Sequence, residues 1–189
     1  MSSLAFRSRP WALLLLVAAS SAAGCARTST SEPAPAGSTA PPEAPLAAGT
    51  LAPSVTFQVH SGAPVALESL RGKPVVVYFY PKDDTPGCTV EAQEIRDLFE
   101  ALQKTGAVVI GVSTDDADSH RAFADKHALP FLLAADSSGD VARAFGVPLK
   151  NGRATRVSFV IGADGRIKRT FPQVTPQGHA AELLGAITS

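Results

Sequence analysis

Cysteine is scarce in this chain: 189 residues hold two, Cys25 and Cys88. Residues 88 to 91 read Cys-Thr-Val-Glu, so the Cys-x-x-Cys pair that dithiol reductases and isomerases require is missing. An excess of either charge is missing too. Lys+Arg and Asp+Glu both number 17, which argues against nucleic acid as a partner, because that binding needs a clear basic excess. The longest N-terminal apolar run, "WALLLLVAAS" at 11–20, falls far short of the ~20 residues that span a bilayer core. His60, His120, His127 and His179 show no metal-ligand spacing, and His120 and His127, seven apart on one expected helix, read as solvated. Neither a metal nor a cofactor is expected, and no internal repeat is visible.

What is present divides into two materials. Arg7 and Arg9, then the apolar run, then "SAAGC" at 21–25 have the layout of a secretory signal. The last part resembles a bacterial lipobox, with Ala22 where that motif prefers Leu. The resemblance implies a signal peptide over 1–24 and lipidation of Cys25. It implies an exported protein anchored by lipid to the bacterial envelope, facing the periplasm in a Gram-negative host. Ala26, where Asp would signal inner-membrane retention, leans toward the outer membrane. The alternative is cleavage nearby with Cys25 a free thiol. Residues 25–48 are rich in Pro, Ala, Ser and Thr, with Leu46 the one large aliphatic beyond the cysteine. Such a stretch buries too little apolar surface to offset chain entropy and reads as a partly stiffened tether.

Residues 49–189 read as one α/β domain with a mixed central sheet flanked by helices. "VTFQVH" (55–60) alternates like an edge strand, and "PVVVYFY" (74–80) is a run buried on both faces. One helix over about 86–104 leads to a second buried run at 106–114, making a βαβ unit with parallel strands. A helix over 116–128, a strand in "PFLLAA", a short helix over 138–147 and a last helix over 176–187 follow the same logic. "VSFVI" (157–161) and "RIKRTF" (166–171) flank Asp164-Gly165, a hairpin turn signal.

Cys88 stands out by position. Thr85 suits an N-cap and Pro86 the first helical position. Cys88 then lies in the first turn and shares a face with Ala92, Ile95, Phe99 and Leu102, at steps of 4, 3, 4 and 3. It points inward, at a helix N-terminus, beside the end of a buried strand. First-turn N–H groups and the helix dipole favour negative charge there, and the thiolate is the nucleophilic form of cysteine. The bland reading is a buried structural thiol.

Pro81, Thr85 and Cys88 resemble the Pro-x-x-x-Thr-x-x-Cys signature of peroxiredoxins, and "YFYPKDDTPGCTVEA" is similar to the bacterioferritin-comigratory (PrxQ) subfamily. "GVSTDD" and "RVSFVI" lie where similar segments lie in that family. The resemblance covers essentially all of 49–189 and implies a thioredoxin-like fold. By it, Cys88 is the peroxidatic thiolate that attacks hydrogen peroxide or an organic hydroperoxide and becomes a sulfenic acid. Thr85 hydrogen-bonds the peroxide, Pro81 shields the thiolate, and Arg156 stabilises charge on sulfur and oxygen. Glu91, one turn past Cys88, orients Arg156.

The chain departs from the subfamily where many members carry a resolving cysteine, five residues on: that position is Gln93. The expectation is therefore a one-cysteine peroxidase recycled by an external thiol or thioredoxin-like reductant; the resemblance also implies a monomer. The alternative is a lipid-anchored peroxide sensor without turnover. Residues 147–156 read as a shortened loop, and Asp83 and Asp84 as turn residues rather than proton-handling groups.

Overall fold

The computed structural model describes residues 41–189. The expected signal peptide, Cys25 and most of the tether lie outside the described residues. The elements are β1 (Thr56–Val59), β2 (Val65–Ala66), a 3-10 turn (Leu67–Leu70), β3 (Val75–Phe79), α1 (Pro86–Asp97), α2 (Phe99–Lys104) and β4 (Val108–Ser113). There follow α3 (Ala117–His127), β5 (Leu132–Ala135), α4 (Asp140–Ala144), β6 (Leu149–Lys150), β7 (Arg153–Ala154), β8 (Val157–Ile161), β9 (Ile167–Phe171) and α5 (His179–Thr188).

Seven strands form one sheet in the order β2-β1-β5-β4-β3-β8-β9. β3, β4 and β5 run parallel, with β3 beside β4 and β4 beside β5. β8 and β9 join antiparallel on one side, and β1 pairs antiparallel with β5 on the other. The central strands β3 and β8 are buried at every position: β3 is an unbroken apolar run, and β8 is interrupted only by Ser158. Side chains of β3 alternate between two cores. Val75, Val77 and Phe79 pack with Phe57, Phe145 and Phe159 on one face. Val76, Tyr78 and the following Tyr80 pack with Cys88, Ile95, Phe123 and Leu183 on the other, under α1, α3 and α5. The sheet is thus the expected mixed one, covered on both faces.

Four details differ from the sequence reading. β1 is an interior strand, because the two-residue β2 covers its outer edge. The helix expected over 86–104 bends at Leu98 (φ −98°, ψ 5°), giving α1 and α2, although Leu98 N–H to Glu94 O (3.1 Å) and Leu102 N–H to Leu98 O (3.0 Å) carry the ladder across. The expected loop at 147–156 holds a small hairpin, β6–β7, turned by Asn151 (φ 52°) and Gly152 (φ 74°). That Asn-Gly pair is a hairpin signal in plain sight.

The fourth difference lies at the start of the domain. The chain is already fastened to the sheet before residue 49. Leu46 N–H donates to Phe145 O (3.1 Å), Thr170 Oγ1 donates to Leu46 O (2.6 Å), and the Leu46 side chain packs against the core. Gly146, at φ +69°, makes the room: a Cβ there would fall 1.9 Å from the Ala44 carbonyl oxygen. Residues 49–52 then run along β9, with Gly49 N–H to Ile167 O and Ile167 N–H to Thr50 O both 2.8 Å, so the edge strand is not left bare.

Candidate active site

The site sits at the C-terminal end of β3, where parallel strands of α/β proteins leave a crevice. Tyr80 N–H still reaches across to Val112 O (3.1 Å). Pro81 has no N–H to continue the ladder, and the chain turns away. Asp83 and Asp84 make the turn, Asp84 with a left-handed φ of 58°. Thr85 takes the extended backbone of an N-cap (φ −85°, ψ 148°), but its side chain does not cap. Its hydroxyl instead donates to Lys82 O at 3.1 Å. That corrects the capping role expected of it. Thr89 N–H closes the first helical bond onto Thr85 O (2.9 Å).

Cys88 is 2% exposed, on the inner face of α1 as its stripe predicts. Arg156, at the start of β8, reaches over the helix N-terminus. Its Nη2 donates to Cys88 Sγ at 3.3 Å, and its Nη1 donates to Glu91 Oε2. Gly87 lies beneath it: a Cβ there would stand 3.4 Å from Arg156 Nη2, so this position leaves the guanidinium its path. Cation, sulfur and carboxylate therefore form one chain of charge-assisted contacts in a largely dry site.

Glu91 is wholly buried, not near the surface. Burial pushes its carboxyl up to about 7, against the downward pull of Arg156. Burial opposes charge on Arg156 as well, but Glu91 and then Cys88 outweigh it and hold the guanidinium above its usual range. Glu91 Oε1 has no protein partner, so the carboxylate is fastened on one side only. Pro81 is half-buried beside the turn. The structure thus brings Pro81, Thr85, Cys88, Glu91 and Arg156 to one end of the sheet. A groove lined by Pro45, Pro148, Lys150, Val157, Pro172 and Val174 opens beside Arg156. Among the described residues no group of His, Cys, Asp and Glu converges as a metal site.

Comparison with known proteins identifies the family. The AhpC/TSA family pattern matches residues 48–170. The chain belongs to the AhpC/TSA family. Within it, the similarity is to the peroxiredoxins of the bacterioferritin-comigratory, or Q, type. The chain is 40% identical to the peroxiredoxin bcp of Coxiella burnetii over 146 residues, 74% of this chain and 97% of that one. It is 41% identical to the chloroplastic peroxiredoxin Q of Sedum lineare, across 75% of this chain and 77% of that one. Among solved structures, the peroxidoxin BcpB of Mycobacterium tuberculosis aligns with a TM-score of 0.71 at 30% identity, covering 76% of this chain and 97% of that one. The bacterioferritin comigratory protein of Xanthomonas campestris aligns at 0.69 and 31%, covering 75% and 97%. This peroxiredoxin is accordingly an enzyme, a thiol-dependent peroxidase on a thioredoxin-like fold.

Sequence reasoning missed what lies behind the peroxiredoxin's site loop. His120 is fully buried, not solvated, and His127 is largely covered. His120 Nδ1 meets Asp83 Oδ2 at 2.9 Å, and Tyr80 Oη donates to Asp83 Oδ1 at 2.7 Å. Asp83 is therefore more than a turn residue; it is buried and bonded. The missed signal was periodic: His120, Phe123, Ala124 and His127 form an i, i+3, i+4, i+7 stripe that places the histidines inward. His179 is buried too, held between Ser158 Oγ (2.9 Å) and Glu182 Oε2 (3.0 Å), and burial lowers its pKa.

Proposed function

We propose that Cys88 is the peroxidatic residue of this enzyme and works as a single cysteine. The contact of Arg156 Nη2 with Cys88 Sγ, 3.3 Å, carries the reading. A fixed cation against sulfur meets charge that develops on the peroxide oxygens. The Thr85 proton is committed to Lys82 O, so Oγ1 is left with lone pairs to accept a peroxide O–H. Gly87 and Cys88 lie in the first turn of α1, where backbone N–H groups have no helical acceptor and can donate to an anion.

The sulfur electron pair forms an S–O bond to the terminal peroxide oxygen. The O–O pair leaves with the other oxygen, which takes up a proton and departs as water or alcohol. Cys88 is then a sulfenic acid. The domain has no second cysteine, and Gln93 stands five residues on. An external thiol therefore attacks the sulfenic sulfur, releasing water and forming a mixed disulfide. A second thiol attacks that disulfide, frees Cys88 and leaves as the oxidised donor. Hydrogen peroxide and organic hydroperoxides are the substrates, the latter with an apolar approach along Pro148, Pro172 and Val174. Separately, the signal-like N-terminus supports the proposal of an exported protein anchored by lipid on Cys25, with the domain facing the periplasm in a Gram-negative host, and the subfamily resemblance supports a monomer.

Steady consumption of hydrogen peroxide by the full-length chain with dithiothreitol tests it. Turnover persists in Cys25→Ser and vanishes in Cys88→Ser. Consumption that survives Cys88→Ser, or that stops after one equivalent in the wild type, contradicts it.

A further inference from the structure

One wall of the groove beside Arg156 comes from outside the matched family pattern. That pattern begins at residue 48, and Pro45 lies before it, in the stretch whose composition reads as tether. Yet Pro45 is half-buried and lines the groove with Pro148, Val157, Pro172 and Val174. Arg156, whose Nη2 meets Cys88 Sγ at 3.3 Å, borders the same groove. The groove offers about 540 Å³, within the range of small-molecule sites. Hydrogen peroxide, two oxygens across, needs only a small fraction of that room, and these five apolar side chains give it no hydrogen bond. The walls suit the carbon part of a larger peroxide instead.

Pro45 is held from both sides. Ahead of it, the Ala44 carbonyl rests over Gly146, where a Cβ would fall 1.9 Å from the oxygen, and Pro42 Cγ lies 3.2 Å from the same point. After it, Leu46 N–H donates to Phe145 O at 3.1 Å, and Leu46 O accepts from Thr170 Oγ1 at 2.6 Å. The Leu46 side chain packs against the core. The strap 44–46 is thus fastened to two separate parts of the fold, the turn after α4 and strand β9, and the proline between has little freedom. Three of the five apolar walls are proline, whose ring fixes φ and has no rotamer freedom to lose on contact. Such a wall is organised before a ligand arrives, which lowers the cost of binding.

We propose that Pro45, held in place by the strap 44–46, is a specificity-determining residue: it completes the apolar wall that takes the carbon skeleton of an organic hydroperoxide while the peroxide end lies at Arg156 and Cys88. The proposal rests on the peroxidatic reading of Cys88. Apolar contact along the groove helps the organic peroxide alone, because hydrogen peroxide has no carbon to lay there. The strap therefore sets the ratio of the two reactions, while Arg156 serves both at the sulfur. Residues that read as tether by composition carry part of the substrate surface.

The test uses the full chain carrying Cys25→Ser, so that Cys88 is the one thiol. Reduced protein is mixed with hydrogen peroxide or with cumene hydroperoxide, and the second-order rate constant of Cys88 oxidation is measured for each. The ratio of the cumene constant to the hydrogen peroxide constant is expected to fall about fourfold in Pro45→Gly, the worth of roughly one buried methylene. Thr170→Val removes the donor to Leu46 O from outside the groove and is expected to lower the same ratio by less. A destabilised fold lowers both constants together and leaves the ratio as it was. A ratio that stays the same or rises in Pro45→Gly overturns the proposal. A second measurement does not depend on chemistry at sulfur. With Cys88→Ser added, amide shifts at Leu46, Lys150 and Val174 on titration with cumene hydroperoxide report binding in the groove. The dissociation constant is expected to rise by a similar factor when Pro45→Gly is introduced; no shift at these residues, or an equal constant, overturns the proposal. If Cys88 is oxidised no faster than a free thiol by either peroxide, the peroxidatic reading fails, and the titration still decides whether Pro45 holds the organic peroxide.

Discussion

Glu91 shows how one buried side chain links stability to pH. Its carboxyl titrates near 7 in the folded protein, above an ordinary 4.5, because burial outweighs Arg156. The folded state therefore holds a proton that the unfolded chain has released across that interval. The contribution to stability is full below about pH 4.5 and is lost as pH rises through about 7. In Glu91→Gln this titration is absent. The unfolding free energy of the wild type, measured in urea against that variant, is expected to fall relative to it between pH 4.5 and pH 8; a constant difference contradicts the account. At this scale the sequence was informative about Cys88, whose inward stripe at a helix start needs only spacing to be seen. It was uninformative about Asp83 and His120. A loop aspartate and a helical histidine look solvated until tertiary packing buries both and pairs them.

At the scale of elements, strand–loop–helix geometry follows from simple causes. β-branched residues make β3, Pro81 ends it, and Pro86 starts α1. Periodicity carries no comparable mark for the bend at Leu98, where the hydrogen-bond ladder continues across non-helical angles. The segment around Ala44 and Leu46 was illegible for a different reason. Its composition is that of a tether, and only Gly146, far away in sequence, makes a seat for it. Gly146→Ala places a side chain at φ +69° against the Ala44 carbonyl. The left-handed backbone alone costs about 1–2 kcal/mol. A loss of about 2 kcal/mol or more is expected, with faster amide exchange at Leu46. Unchanged stability and exchange would mean that the segment is not held by this seat.

For the whole molecule, the mixed sheet and its parallel centre were readable from runs of Val, Ile and Phe and the helices between them. The family match begins at residue 48, while the fastened chain begins earlier, so the tether and the domain overlap at Leu46. If Cys25 carries lipid, expression in a bacterium labels the protein with fatty acid and recovers it with membranes. Cys25→Ser is expected to lose the label and leave the membrane fraction. A labelled variant, or an unlabelled wild type, removes the anchor from the account.

The central claim is that Arg156 activates Cys88 toward peroxide. The most direct measurement mixes reduced full-length protein with one equivalent of hydrogen peroxide and follows Cys88 by stopped flow and by the mass of its peptide, beside Arg156→Ala. The account predicts fast, stoichiometric sulfenic acid in the wild type and a rate on the order of 100-fold lower in the variant. Oxidation of the wild type at the pace of a free thiol, or a variant as fast as the wild type, would contradict it.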